Sequence, residues 1–162
     1  MGRAATAPQP RIAVGSDHAG FLMKERLRTY LQERGYVVED CGTHSQRAAD
    51  YPDFAHKVAA RVARREVEWG VLVCGTGIGM AMAANKIPGV RAATCNDTLL
   101  ARFAREHNNA NVLALGSRML DESAARKILD TWATARFTGG RHKQRVDKLT
   151  RIEQDPAMEK LS

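Results

Sequence analysis

The feature that most constrains this chain is a series of short, uninterrupted apolar segments, each followed by a stretch with helical spacing. RIAVG at residues 11–15 ends on a glycine, and Phe21, Met23, Leu27, Tyr30 and Leu31 then recur at helical intervals until Gly35. Residues 36–40 read as a second strand, and residues 53–64, after Pro52, place Phe54, Val58 and Val62 on one helix face. VLVCG at 71–75 is the most apolar strand, with a helix behind it over 80–86. A strand at 91–95, a helix at 99–106, a strand at 111–116 and a helix at 121–135 continue the alternation. A last helix is expected over 144–154, with Val146, Leu149 and Ile152 as its apolar stripe. Strands covered on both faces are apolar throughout, so five of them separated by helices predict a parallel sheet sandwiched between helix layers. The expected fold is α/β: a Rossmann-like, doubly wound five-stranded parallel sheet with helices on both faces and a C-terminal helix. One domain is expected over residues 11–154, with an Ala- and Pro-rich tail at 1–10 and a short tail at 155–162.

A chain of 162 residues with 44% hydrophobic side chains can bury a core without disulfide or metal staples. Cys41, Cys74 and Cys95 are odd in number and show no paired spacing, and the first residues lack the order of a secretory leader. The expectation is a reducing cytoplasm. The longest uncharged stretch, residues 69–85, contains four glycines and reaches Lys86 too soon to span a bilayer. MGRAAT matches a myristoylation pattern, but so short a motif matches by chance, and no membrane partner is expected.

The net charge of +7 raises the question of nucleic acid. Arg61, Arg64 and Arg65 stand beside Glu66 and Glu68, as on a solvated helix face. Arg141, Lys143, Arg145, Lys148 and Arg151 follow a Gly-Gly pair, where a loop entering a helix can hold one small phosphate. No aromatic residues interleave with these charges for base stacking. A small phosphorylated ligand is therefore preferred to a polymer.

Open parallel sheets bind ligands outside the carboxyl ends of their strands. Asp17 and His18 follow the first strand, Asp50 and Tyr51 lie beyond the second, Cys74 ends the third, and Gly116, Ser117 and Arg118 follow the fifth. The glycines after Cys74 are spaced G-x-G-x-G, which is neither a dinucleotide fingerprint nor a P-loop. Gly75, Thr76, Gly77, Ile78 and Gly79 read as a nest of backbone N–H groups for a phosphate or an enediolate oxygen, or as a tight packing turn. Cys74 beside them reads as an activated thiol of lowered pKa or as a small buried hydrophobe. His107 ends a helix, as a proton donor or as a cap. No histidine and carboxylate spacing points to a metal.

Taken together, GSDHAG (15–20), DYPDFA (50–55), CGTGIGMAMAANK (74–86), HNNANVLALGSR (107–118) and GGRHKQRV (139–146) resemble the ribose-5-phosphate isomerase B family, within the wider group that includes galactose-6-phosphate isomerases. The resemblance runs over residues 11–154. It implies an aldose–ketose isomerase without metal or cofactor, interconverting ribose 5-phosphate and ribulose 5-phosphate through an enediolate. On that footing Cys74 moves the proton, and Gly75, Thr76, Gly77, Ile78 and Gly79 hold the oxyanion. His107, helped by Asp17, opens the sugar ring, and Asn108 binds sugar oxygens. His18, Arg118, Arg141 and Arg145 hold the phosphate, with His142 and Tyr51 at its margin. The resemblance also implies a homo-oligomer, dimer or tetramer, whose sites are shared between subunits, Arg141 and Arg145 coming from the partner. Other readings are an isomerase of allose 6-phosphate or galactose 6-phosphate, a cysteine hydrolase using Cys74 and His107, and a non-catalytic phosphate or nucleic-acid binding module.

Overall fold

The most apolar strand of the sequence is the central strand of the structure. The computed structural model describes residues 10–155 and residue 157. In it, β1 (Arg11–Ser16), β2 (Val37–Asp40), β3 (Trp69–Cys74), β4 (Ala92–Thr94) and β5 (Val112–Gly116) form one sheet in the order β2-β1-β3-β5-β4. Every pairing is parallel. The connections run through α1 (Phe21–Glu33), α2 (Tyr51–Ala63), α3 (Ile78–Ala84) and α4 (Thr98–Glu106), and α5 (Glu122–Thr134) and α6 (Arg141–Glu153) follow β5. Most of the proposed N-terminal tail and most of the C-terminal tail lie outside the described residues.

All six residues of β3 are buried, and its pleat explains why no polar alternation is visible. Val71 and Val73 point to one face with Ile12, Val14, Leu113 and Leu115, where Leu27, Leu31, Ile128, Leu129 and Trp132 cover them from α1 and α5. Leu72 and Cys74 point to the other face with Ala13 and Ala114, beneath Ala55, Val58 and Ala59 of α2 and Met80 and Ala84 of α3. Both faces are thus covered, as in a doubly wound sheet, and each fully buried Leu or Ile contributes roughly 1.5–3 kcal/mol.

Helix starts differ from the sequence expectation where residues of interest lie: α3 begins at Ile78, two residues before the expected start, and α2 and α6 also begin early. α2 begins at Tyr51 with Pro52 inside its first turn, where the missing N–H costs nothing and the fixed φ suits a helix. α6 begins at Arg141, three residues before the expected start, because Gly139 and Gly140, at φ 65° and 55°, turn the chain directly into it. Arg141, His142 and Arg145 consequently share one helix. α6 buries only Val146, and Leu149 and Ile152 stay largely exposed beside a cleft of about 390 Å³ that also touches Ala92 and Ala93 of the edge strand. Among the described residues, no helix is long and apolar enough to cross a membrane.

Candidate active site

The candidate residues fall into two groups, at opposite ends of the sheet. The first is built at the carboxyl edge of the strands. Cys74 is the last residue of β3, 5% exposed, and its Sγ accepts a hydrogen bond from the Gly77 N–H at 3.1 Å. That N–H reaches the sulfur because Gly77 adopts a left-handed φ of 81°, bending the loop back over the strand end. The exposed Thr76 hydroxyl accepts from Ile78 N–H at 3.3 Å, and Thr94 Oγ1 donates to the Gly77 carbonyl at 3.2 Å. The Gly-rich stretch is thus a loop closed on the sulfur and tied to β4.

Three neighbouring loops complete this group. Asp17 is buried after β1, with Oδ1 accepting from Gly20 N–H at 2.9 Å, and His18 Nδ1 lies 3.2 Å from both the amide nitrogen and the carbonyl oxygen of Ala49. Arg118 lies against Gly75, where a Cβ would meet its guanidinium at 3.1–3.3 Å, and its N–H donates to the Gly75 carbonyl at 3.0 Å. Tyr51 lies against Gly79, where a Cβ would come within 2.8 Å of the ring. The glycines therefore bring a cationic fork and a phenol ring onto the same short loop.

The second group lies where α4 ends and α6 begins. His107 caps α4, and its ring is stacked between Phe103, at 4.6 Å between centroids, and His142, at 4.2 Å. His107, Asn108, His142, Arg145 and Val146 line a cleft of about 350 Å³. Arg91 Nε donates to Asn109 O at 2.9 Å and Arg105 donates to Ala110 O at 2.7 Å, fixing the 107–111 turn just before β5. Burial, His107, Arg141 and Arg145 together hold the His142 imidazole below its ordinary range.

One chain does not bring these groups together. Cys74 pairs in register with Gly116 at the end of β5, whereas His107 precedes Val112 at its beginning. Five extended residues separate the two edges, a distance on the order of 15 Å.

Comparisons with known proteins place the chain in a family. Residues 12–149 match the family model described as Ribose/Galactose Isomerase. The chain is 48% identical over 144 residues to ribose-5-phosphate isomerase B of Escherichia coli, covering 89% of this chain and 97% of the relative. The chain belongs to the ribose/galactose isomerase family. It is an isomerase. Ribose-5-phosphate isomerase B of Clostridium thermocellum superposes with a TM-score of 0.88 at 49% identity, over 89% of this chain and 97% of that one. The Mycoplasma genitalium ribose-5-phosphate isomerase B, solved with bound ribulose-5-phosphate, superposes with a TM-score of 0.87 at 42% identity, over 90% and 97% of the two chains.

The other two thiols lie away from the Gly-rich loop in the sequence. Burial pushes Cys95 up to about 12 and also raises Cys41, so neither offers a thiolate near neutrality. Among the described residues, no group of three or more His, Cys, Asp or Glu side chains is gathered as a metal site would require. Two site-shaping roles escape a reading of the sequence, that of Ser117, read only as a polar residue after the fifth strand, and that of Phe103. Ser117 Oγ lies 2.8 Å from Ala19 O and 3.1 Å from Cys74 O, joining the ends of β1, β3 and β5. Phe103 reads only as an apolar helix residue, although its i, i+4 spacing to His107 places both rings on one face.

Proposed function

We propose that the chain interconverts D-ribose 5-phosphate and D-ribulose 5-phosphate, in a site assembled from two copies. The observation that carries this reading is the sulfur of Cys74 held beneath the Gly77 N–H, in a loop flanked by Arg118 and Tyr51. An N–H aimed at the sulfur stabilises negative charge there, and the neighbouring amides stabilise charge on a substrate oxygen. In the open-chain aldose, Cys74 removes the proton from C2, and the C–H electrons form a C1–C2 double bond as the carbonyl electrons move to O1. The O2 proton passes to O1, and Cys74 returns its proton to C1. The products balance with no external oxidant or reductant. Thr76 and the amides of the 75–79 loop hold the oxyanion.

Ring opening needs a proton donor at the ring oxygen, and His107 takes that part with Asp17 as helper. Because His107 and Cys74 lie at opposite sheet edges, the His107 that meets a given Cys74 belongs to a second copy, together with Asn108, Arg141, His142 and Arg145. Largely exposed Ile78 and Met82 on α3, with Leu99 and Leu100 on α4, supply an apolar surface beside the Gly-rich loop for that copy to cover. Arg118 and His18 from one subunit and Arg141 and Arg145 from the other then grip the phosphate, which positions the carbon acid. The three unpaired thiols suit a reducing cytoplasm.

The test is conversion of ribose 5-phosphate by the purified chain with EDTA present, beside allose 6-phosphate and galactose 6-phosphate. Turnover of ribose 5-phosphate in preference to both six-carbon sugars is expected. Turnover of a six-carbon sugar alone would replace the substrate, and turnover of none would overturn the reading.

A further inference from the structure

The His107 ring is covered on both faces. Phe103 lies within 14° and His142 within 4° of parallel to it, at 4.6 and 4.2 Å between centroids. Two rings so close and so nearly parallel cannot share one face of an imidazole, so they occupy opposite faces and leave only its edge open. The stack is anchored at both ends. Phe103 sits one helical turn before His107 on α4, and His142 stands in the first turn of α6. Between α5 and α6, Thr138 donates from its backbone N–H and from Oγ1 to the Glu106 carbonyl, at 3.0 and 2.8 Å. The segment that delivers His142 is therefore pinned to the residue immediately before His107.

Hydrogen bonding does not orient His107: among the described residues neither ring nitrogen has a partner. The groups facing His142 are His107 from α4 and Arg141 and Arg145 from its own helix. All are cationic or able to become so, and a second positive charge stacked 4.2 Å from His107 would repel it. We propose that His142 is a positioning residue, an aromatic platform that fixes the plane in which His107 presents its nitrogens to the sugar, and not a charged ligand for the phosphate. This inference rests on His107 acting in ring opening, as proposed above. A histidine whose nitrogens lack protein partners needs another device to hold its plane, and stacking on both faces supplies one.

The test replaces His142 by Phe, which keeps the stack, and by Asn or Ala, which lose it, in the full-length chain. Two readouts are taken: steady-state kinetics on ribose 5-phosphate, and the proton NMR shift of the His107 ring, which an overlying aromatic ring moves upfield. His142→Phe is expected to retain wild-type kcat and KM within about threefold and to keep the upfield shift. His142→Ala and His142→Asn are expected to lose kcat by about ten- to a hundredfold through misorientation, with little change in KM, and to lose the shift from that face. A His142→Phe variant as impaired as His142→Ala, with raised KM, would overturn the proposal in favour of a phosphate ligand. Wild-type behaviour of all three variants would overturn it as well. Absence of turnover in the wild-type control would instead sink the isomerase reading, and so separates the two failures.

Discussion

The two halves of the candidate site are built by different means. The Cys74 half is made of backbone: a strand end, a loop closed by a left-handed glycine, and carbonyls bridged by Ser117. The His107 half is made of side chains on two helix ends, stacked on one another and open to a cleft. A group that must move a proton between two adjacent carbons gains from a frame that does not move, because its reach is fixed to fractions of an ångström. On the proposed function, a group that opens a ring can stand on the more exposed element, where a second copy would bring it into place.

The largest effect expected from this contrast falls on the rigid half. Cys74→Ala should lower kcat by about a thousandfold or more, the scale of a lost proton-transfer group, while ribose 5-phosphate still binds. Retained turnover would remove the thiol from the base role.

The half built on helix ends should show a directional effect that the strand-end half does not. Ribulose 5-phosphate has no free hydroxyl able to close a furanose ring, so His107→Ala should slow turnover of ribose 5-phosphate by about a hundredfold and spare the initial rate from ribulose 5-phosphate. Equal losses in both directions would assign His107 to another step.

On the proposed grip of the phosphate by both halves, Arg145→Ala should raise KM about tenfold, some 1.4 kcal/mol, with a smaller change in kcat. An unchanged KM would place Arg145 outside the phosphate site.

The smallest effect lies away from both halves and sets the background for these comparisons. The hydrogen bond from Arg28 holds the Glu25 carboxyl down at about 2 against the opposing pull of burial, with Lys24 assisting. A depressed carboxylate contributes stability above its unfolded value of 4.5 and loses it as pH falls through 2. Glu25→Gln should therefore cost under about 1 kcal/mol at neutral pH, and the difference from wild type should shrink as the pH falls through 2 and vanish below it in acid melts. A difference that persists there would point to lost packing instead of lost charge.

The fold was legible because the three central strands, β1, β3 and β5, are apolar without alternation and are followed by glycine or polar residues. The 71–75 segment needed no further signal to be read as a buried strand, and the Gly-rich loop behind it followed from spacing. The start of α6 was not legible: Gly139 and Gly140 read equally well as a longer loop, and only their left-handed backbone places Arg141 and His142 inside the helix. The division of the site was hidden for a topological reason. Sequence puts His107 five residues before the β5 strand whose far end meets Cys74, and nearness along the chain conceals that a strand's length separates them. Phe103 was hidden because stacking has no sequence signature apart from its i, i+4 interval, which core packing shares.

The most direct test of the central claim is complementation between two inactive variants. Cys74→Ala and His107→Ala chains are unfolded together in equal amounts, refolded to allow subunit mixing, and assayed on ribose 5-phosphate. If each site takes Cys74 from one copy and His107 from another, mixed dimers carry one intact site, and about a quarter of wild-type activity should return. Mixed assemblies that stay as inactive as their parents, with subunit exchange verified, would contradict a site shared between copies.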